Sequence, residues 1–143
     1  MIEKIKPRSI HNPTGSYTHA VKVTAKHLVF VAGQIPMGEN GKIVGYDLNF
    51  KDLNHQSIDL AAQMRQTYAN FKAALEAAGA SLKDVVRLDS YVVISALNEY
   101  RTVGNKVREE MLGEHQPPGA TVFVAGLMPP HALIEISGIA AID

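Results

Sequence analysis

The sequence predicts an α+β domain in which two helices pack on one face of a mixed sheet. Three observations carry that expectation: two helical stripes of apolar residues, an apolar run of strand length near the amino terminus, and further apolar strands after each helix. Their order is β-β-α-β-α-β-β. A chain of 143 residues fits one domain, 1–143, and buries roughly 68–70% of the surface its unfolded form exposes.

Taken in order, Tyr17 to Thr24 mixes polar and apolar residues, and Ala25-Lys26 is expected to turn the chain into His27-Leu28-Val29-Phe30-Val31-Ala32, ending at Gly33. This reads as a hairpin whose second strand is buried on both faces. Ile35 to Asn54 holds Pro36, Gly38, Gly41 and Gly45 and reads as a long irregular connection. Leu60, Met64, Tyr68, Phe71, Leu75 and Ala78 recur at steps of three and four, a helical stripe that Gly79 is placed to cap. Val85 to Ile94 follows as a strand with Val86, Leu88, Val92 and Ile94 on one face and Arg87, Asp89, Tyr91 and Val93 on the other. A second helix is expected from Asn98 as cap to Gly113, with Tyr100, Val103, Val107 and Met111 facing inward. Two final strands, about Ala120 to Leu127 and Leu133 to Ile142, flank the turn Met128-Pro129-Pro130-His131.

Fourteen Lys and Arg balance fourteen Asp and Glu, so no basic stripe suggests a nucleic-acid partner. The absence of Cys excludes disulfides, thiolate catalysis and Cys-based metal sites, and points to a reducing, cytoplasmic address. No apolar stretch reaches membrane-spanning length, and Met1-Ile2-Glu3-Lys4-Ile5-Lys6 lacks the apolar core of a signal peptide, so no membrane partner is expected. Charged residues make up 20% against a typical ~25%, and apolar ones reach 46%. That aliphatic surplus on a small neutral domain hints at a subunit interface.

The six histidines never fall at the i, i+4 spacing of a zinc-binding helix and read as scattered, solvent-exposed side chains; no metal is expected. Gly38 and Gly41 lack the spacing and context of a phosphate loop. Glu135 stands apart. It lies in Leu133-Ile134-Glu135-Ile136-Ser137-Gly138, a strand apolar on both faces, where an isolated carboxylate must be paired, neutralised or used. Desolvation there favours a general acid or base; the alternative is an ion pair with Arg87 or Lys22. Tyr17, after Gly15-Ser16, is either a ligand-facing hydroxyl or a half-buried packing residue.

Four blocks in order carry a resemblance: Gly15-Ser16-Tyr17-Thr18-His19-Ala20-Val21, Val29-Phe30-Val31-Ala32-Gly33-Gln34-Ile35-Pro36, the stretch from Gln63 through Asn70 and Lys72 to Gly79-Ala80-Ser81, and Ile134-Glu135-Ile136. Together they resemble the Rid family (YjgF, reactive intermediate deaminases, also called endoribonuclease L-PSP). The resemblance implies a chorismate-mutase-like fold, a homotrimer with a ligand cleft between adjacent subunits, and no cofactor. It also implies hydrolysis of a small imine or enamine, with Glu135 positioning the water and Tyr17, Ala32, Gly33, Gly119 and Ala120 at substrate-binding positions.

One position departs from the pattern. The family's Pro-Ala-Arg-Ser/Thr reads Pro117-Pro118-Gly119-Ala120-Thr121 here, and Gly119 is assigned to the place of the arginine that grips the substrate carboxylate. The Ser often preceding the family's Gly-Gln is Ala32, and the Asn often found in the second helix aligns with Gly104. The expectation is therefore a Rid-type hydrolase acting on an imine, enamine or related metabolite, other than a standard 2-aminoacrylate deaminase. The alternative is a trimer that binds a metabolite, or regulates, without turnover. Ribonuclease activity follows only from the family's label, and the neutral charge argues against it.

Overall fold

Each helix begins where local chemistry allows. In a computed structural model describing residues 1–46 and 58–143, helix α1 spans Leu60–Ala77 and helix α2 spans Leu97–Leu112. The predicted connection from Ile35 to Asn54 is described only to residue 46, and its remainder, with His55, lies outside the described residues. At the start of α1 the Asp59 carboxylate accepts the amide of Ala62 at 2.9 Å, satisfying a donor the first turn leaves free. Gly79, at φ 78°, closes the helix as its sequence position suggested. The buried stripe is Leu60, Gln63, Met64, Thr67, Tyr68, Phe71 and Leu75; Ala78 sits exposed in the cap.

Helix α2 starts earlier than expected. A 3₁₀ turn, Ile94–Ala96, runs directly into it, so Ala96 and not Asn98 is the N-cap, with no side-chain cap bond. The continuing turn supplies helical geometry before Asn98 is reached. Gly113 ends the helix at φ 59°.

Among the described residues there are six strands: β1 Ile2–Ile5, β2 Ala20–Val23, β3 His27–Gln34, β4 Val85–Val93, β5 Thr121–Val124 and β6 Ile134–Ile142. The main sheet has the order β3-β6-β4-β5, antiparallel except for the parallel pair β4–β5. The α+β class and helix placement agree with the sequence.

The hairpin does not. Strand β2 pairs with β1, Ile2 opposite Val23, in a separate two-stranded sheet, while β3 pairs with β6. Strand β1, too short to show a period, escaped the sequence reading. The amide of Lys26 bonds the Ile142 carbonyl at 3.1 Å, so the bend at Ala25-Lys26 sends the chain into the main sheet instead of back on itself.

Strand β3 is also not buried on both faces. Leu28 is 57% and Phe30 72% exposed, while Val31 is buried. Leu88, Val92, Ile134, Ile136 and Ala140 face the helices, against Tyr68 and Phe71. The opposite face is open along Leu28, Phe30 and Val122, an apolar surface that periodicity alone could not tell from core.

Candidate functional site

The open sheet face carries Glu135. Register places Tyr91 opposite Glu135 on β6 and opposite Val122 on β5, so Val122, Tyr91 and Glu135 form one row across three strands. Asp89 and Ser137 form the next row, and Arg87, Ile139 and Phe30 the one beyond. The β3–β6 register breaks between Val31 and Gln34, leaving Ala32 and Gly33 in a bulge beside Glu135. The contact is tight: a Cβ built on Gly33 would stand 1.9 Å from Glu135 Oε1. Only glycine leaves room for the carboxylate there.

Glu135 is half-buried, since every second residue of β6 points to the open face. The proposed structural ion pairs do not form. Arg87 Nε lies 2.7 Å from Asp89 Oδ2, and that hydrogen bond, with the Asp89 charge, pushes the guanidinium pKa above its ordinary value. Lys22 belongs to the other sheet, opposite Glu3.

Tyr17, Gly119 and Ala120 come together elsewhere, around a cavity of ≈ 320 Å³ between the loop at residues 14–17, α2 and the turn before β5. Tyr17 is half-buried, its ring edge-on to His19 at 5.4 Å and its hydroxyl 3.4 Å from His11 Nε2. Tyr17 thus packs against its neighbours and also lines the cavity. Glu135, Gly33 and Ala32 do not line this cavity, so one chain presents the expected site as two groups.

Gly119 cannot be the position of a cleft-facing side chain. Its Cβ would fall 1.7 Å from the Leu88 carbonyl oxygen, because the Leu88 amide already bonds Pro118 and the Ser90 amide bonds Ala120. Ala120 is exposed, and counting Pro118-Gly119-Ala120-Thr121 puts it third in the four-residue motif. Neither residue supplies a cation. The nearby Asp89 carboxylate accepts the Ala120 amide at 2.9 Å, which holds the turn.

The histidines are more engaged than their spacing suggested. His115 Nε2 is 2.6 Å from the Val85 carbonyl, and desolvation lowers its pKa below the usual imidazole range. His131 stacks on Tyr46 at 3.8 Å.

A family model described as Endoribonuclease L-PSP matches residues 8–142, and this range contains both groups of site residues. The chain belongs to the Rid family. Among Rid relatives, it is 38% identical over 141 residues to a RutC family protein of Pyrococcus horikoshii, covering 98% of each chain. It is 33% identical over 138 residues, 96% of each chain, to the 3-aminoacrylate deaminase RutC of Acinetobacter baylyi. It is 33% identical over 130 residues, 88% of this chain and 87% of the other, to the 2-iminobutanoate/2-iminopropanoate deaminase of Escherichia coli. The crystal structure of the Rid protein YyfB from Yersinia pestis superposes with a TM-score of 0.82 at 29% identity, covering 99% and 98% of the two chains. Among the described residues no helix is long and apolar enough to cross a membrane.

This Rid chain also lines the Tyr17 cavity with residues the sequence reading passed over. Gly104 is packed under the Tyr100 ring, where a Cβ would stand 2.9 Å from Cζ. Its neighbour Asn105 lines the cavity instead, as does Arg108. Arg108 carries a charge yet is only 8% exposed. A charged residue one step from the apolar Val107 was the available signal.

Proposed function

We propose that the protein hydrolyses a small imine or enamine to a carbonyl compound and ammonia, with Glu135 as the water-activating base. The observation that carries this reading is the Glu135 carboxylate seated against Gly33 on the open sheet face, with Arg87 committed to Asp89. The names of two relatives, a 3-aminoacrylate deaminase and a 2-iminobutanoate/2-iminopropanoate deaminase, support the substrate class.

In this reaction Glu135 takes a proton from water as the oxygen attacks the C=N carbon. The carbinolamine forms as that proton passes to nitrogen. Glu135 then takes the hydroxyl proton and delivers it to the amine as the C=O bond forms and the C–N bond breaks, releasing ammonia and the carbonyl compound. Tyr17 polarises the substrate. The reactive cleft is assembled between copies in a homotrimer, a reading supported by Leu28, Phe30 and Val122 exposed on the face that carries Glu135. Such a cleft reunites the two groups of site residues that one chain keeps apart.

The turn at Gly119-Ala120 offers no guanidinium to a carboxylate, which favours a substrate other than 2-aminoacrylate and keeps non-catalytic metabolite binding as the competing reading. The test is a panel of enzymatically generated imines, with and without a carboxylate, each followed by release of the carbonyl product. Acceleration of at least one imine supports the hydrolase; a panel with no acceleration favours binding without turnover.

A further inference from the structure

A β-bulge keeps its place along a strand only while the chain on both sides of it is held, because the extra residue can otherwise slip along the ladder. The bulge beside Glu135 depends on such a hold. Val31 is paired with Gly138 and Gln34 with Ile136, so Ala32 and Gly33 on β3 oppose the single Ser137 on β6. A slip of one residue would bring Ala32 or Gln34 to the place of Gly33, and each carries the Cβ for which the Glu135 carboxylate leaves no room.

Two amide side chains hold the bulge. Gln34 Nε2 donates to the Ala32 carbonyl at 3.1 Å, a backbone acceptor within the bulge itself. Asn70, half-buried on α1, donates through Nδ2 to the carbonyls of Ile35 at 2.9 Å and Met37 at 2.8 Å, on either side of Pro36. The Met37 amide also bonds the Ile35 carbonyl at 2.8 Å, so the chain turns sharply as it leaves β3. One helical turn before Asn70, Gln66 Nε2 donates to Asn70 Oδ1 at 2.8 Å. That bond fixes which way the Asn70 amide points, and both of its hydrogens are committed to the backbone.

We infer that Asn70 and Gln34 are positioning residues for Glu135: they pin the bulge at Ala32-Gly33, and the pinned bulge gives the carboxylate its seat. They act through the β3 backbone. The catalytic consequence rests on the hydrolytic reading of Glu135, whereas the placement of the carboxylate can be read without turnover.

The test therefore measures placement and turnover separately, on the whole isotopically labelled protein. Glu135 Cγ lies 3.2 Å from where a Gly33 Cβ would stand, so the Gly33 Hα and Glu135 Hγ protons should show a nuclear Overhauser effect. Asn70→Asp is nearly isosteric and still accepts from Gln66, but it donates to neither carbonyl. It should abolish the Overhauser effect and, on the imine that wild type accelerates most, lower kcat at least tenfold with KM within twofold. Gln34→Met removes the other donor at similar size and should weaken the effect and lower kcat in the same direction; it decides the matter if Asn70→Asp fails to fold. A merely structural role would lower the unfolding temperature and leave the Gly33–Glu135 contact in place. An unchanged Overhauser effect in the folded variants, or a lost effect with full kcat, would overturn the inference. A wild type that accelerates no imine would overturn the hydrolytic reading instead, and the Overhauser effect in the two variants would still decide whether these side chains seat Glu135.

Discussion

Gly33 and Glu135 share one small volume: the carboxylate oxygen of Glu135 lies 1.9 Å from where a Gly33 Cβ would stand. A carboxylate at the end of a flexible side chain can escape such a clash only by rotating away. Gly33→Ala should therefore displace Glu135 and reduce hydrolysis at least tenfold while the unfolding temperature changes little, since Gly33 is exposed. Full activity in a folded Gly33→Ala protein would show that this placement of the carboxylate is irrelevant.

The turn before β5 separates two substitutions that look equivalent on paper. Gly119→Arg must force a side chain into the Leu88 carbonyl and should destabilise the fold without creating activity. Ala120→Arg meets no such wall. A charge-assisted bond to a carboxylate is worth about 1.5–3 kcal/mol, on the order of ten- to a hundredfold in affinity. Ala120→Arg should accordingly raise 2-aminoacrylate hydrolysis, measured as pyruvate release, and the gain should vanish in the double variant with Glu135→Ala.

Helix α1 hides one polar atom with no partner: Thr67 Oγ1 is buried and makes no hydrogen bond. Thr67→Val keeps the shape and removes the unsatisfied hydroxyl, so it should stabilise the protein by about 1 kcal/mol in denaturant unfolding. A loss of stability would mean the hydroxyl has a partner.

His115 gives stability a pH dependence. Desolvation lowers its folded pKa below the ordinary 6.5, so the unfolded chain binds the proton more readily. Its contribution is present above the unfolded value and is lost as pH falls through that value towards the lower, folded one. Stability should decline on acidification below about pH 6.5, the ordinary imidazole value. His115→Gln, able to donate to the Val85 carbonyl as His115 does, should flatten that decline; an unchanged profile would assign it to other groups.

These tests rest on features that were unequally readable beforehand. The α1 stripe from Leu60 to Leu75 and the stops at Gly79 and Gly113 were legible, because period and cap chemistry are local. Partner choice was not: β2 pairs with β1, a strand too short to show a period, and β3 pairs with β6 across more than a hundred residues, which leaves no mark in either segment. Glu135 stood out as a lone carboxylate in an apolar strand, yet its strand has one open face. The close approach of Gly119 to the Leu88 carbonyl was not legible, because a motif does not say which backbone positions lie against a neighbouring strand. Arg108 was hidden for the same reason, since its burial depends on a loop ninety-two residues away in sequence.

The open apolar face predicts assembly. Light scattering should give about three times 15.5 kDa, and Phe30→Asp, a charge on a side chain 72% exposed in the single chain, should shift the protein towards monomer. A stable wild-type monomer would remove the intersubunit cleft from the account.

The most direct measurement follows carbonyl product from the imine that wild type accelerates most, comparing wild type with Glu135→Gln, which keeps the side-chain shape and removes the base. The account predicts a fall of at least a hundredfold, towards the spontaneous rate, with folding and assembly intact. Equal rates in the two proteins would contradict it.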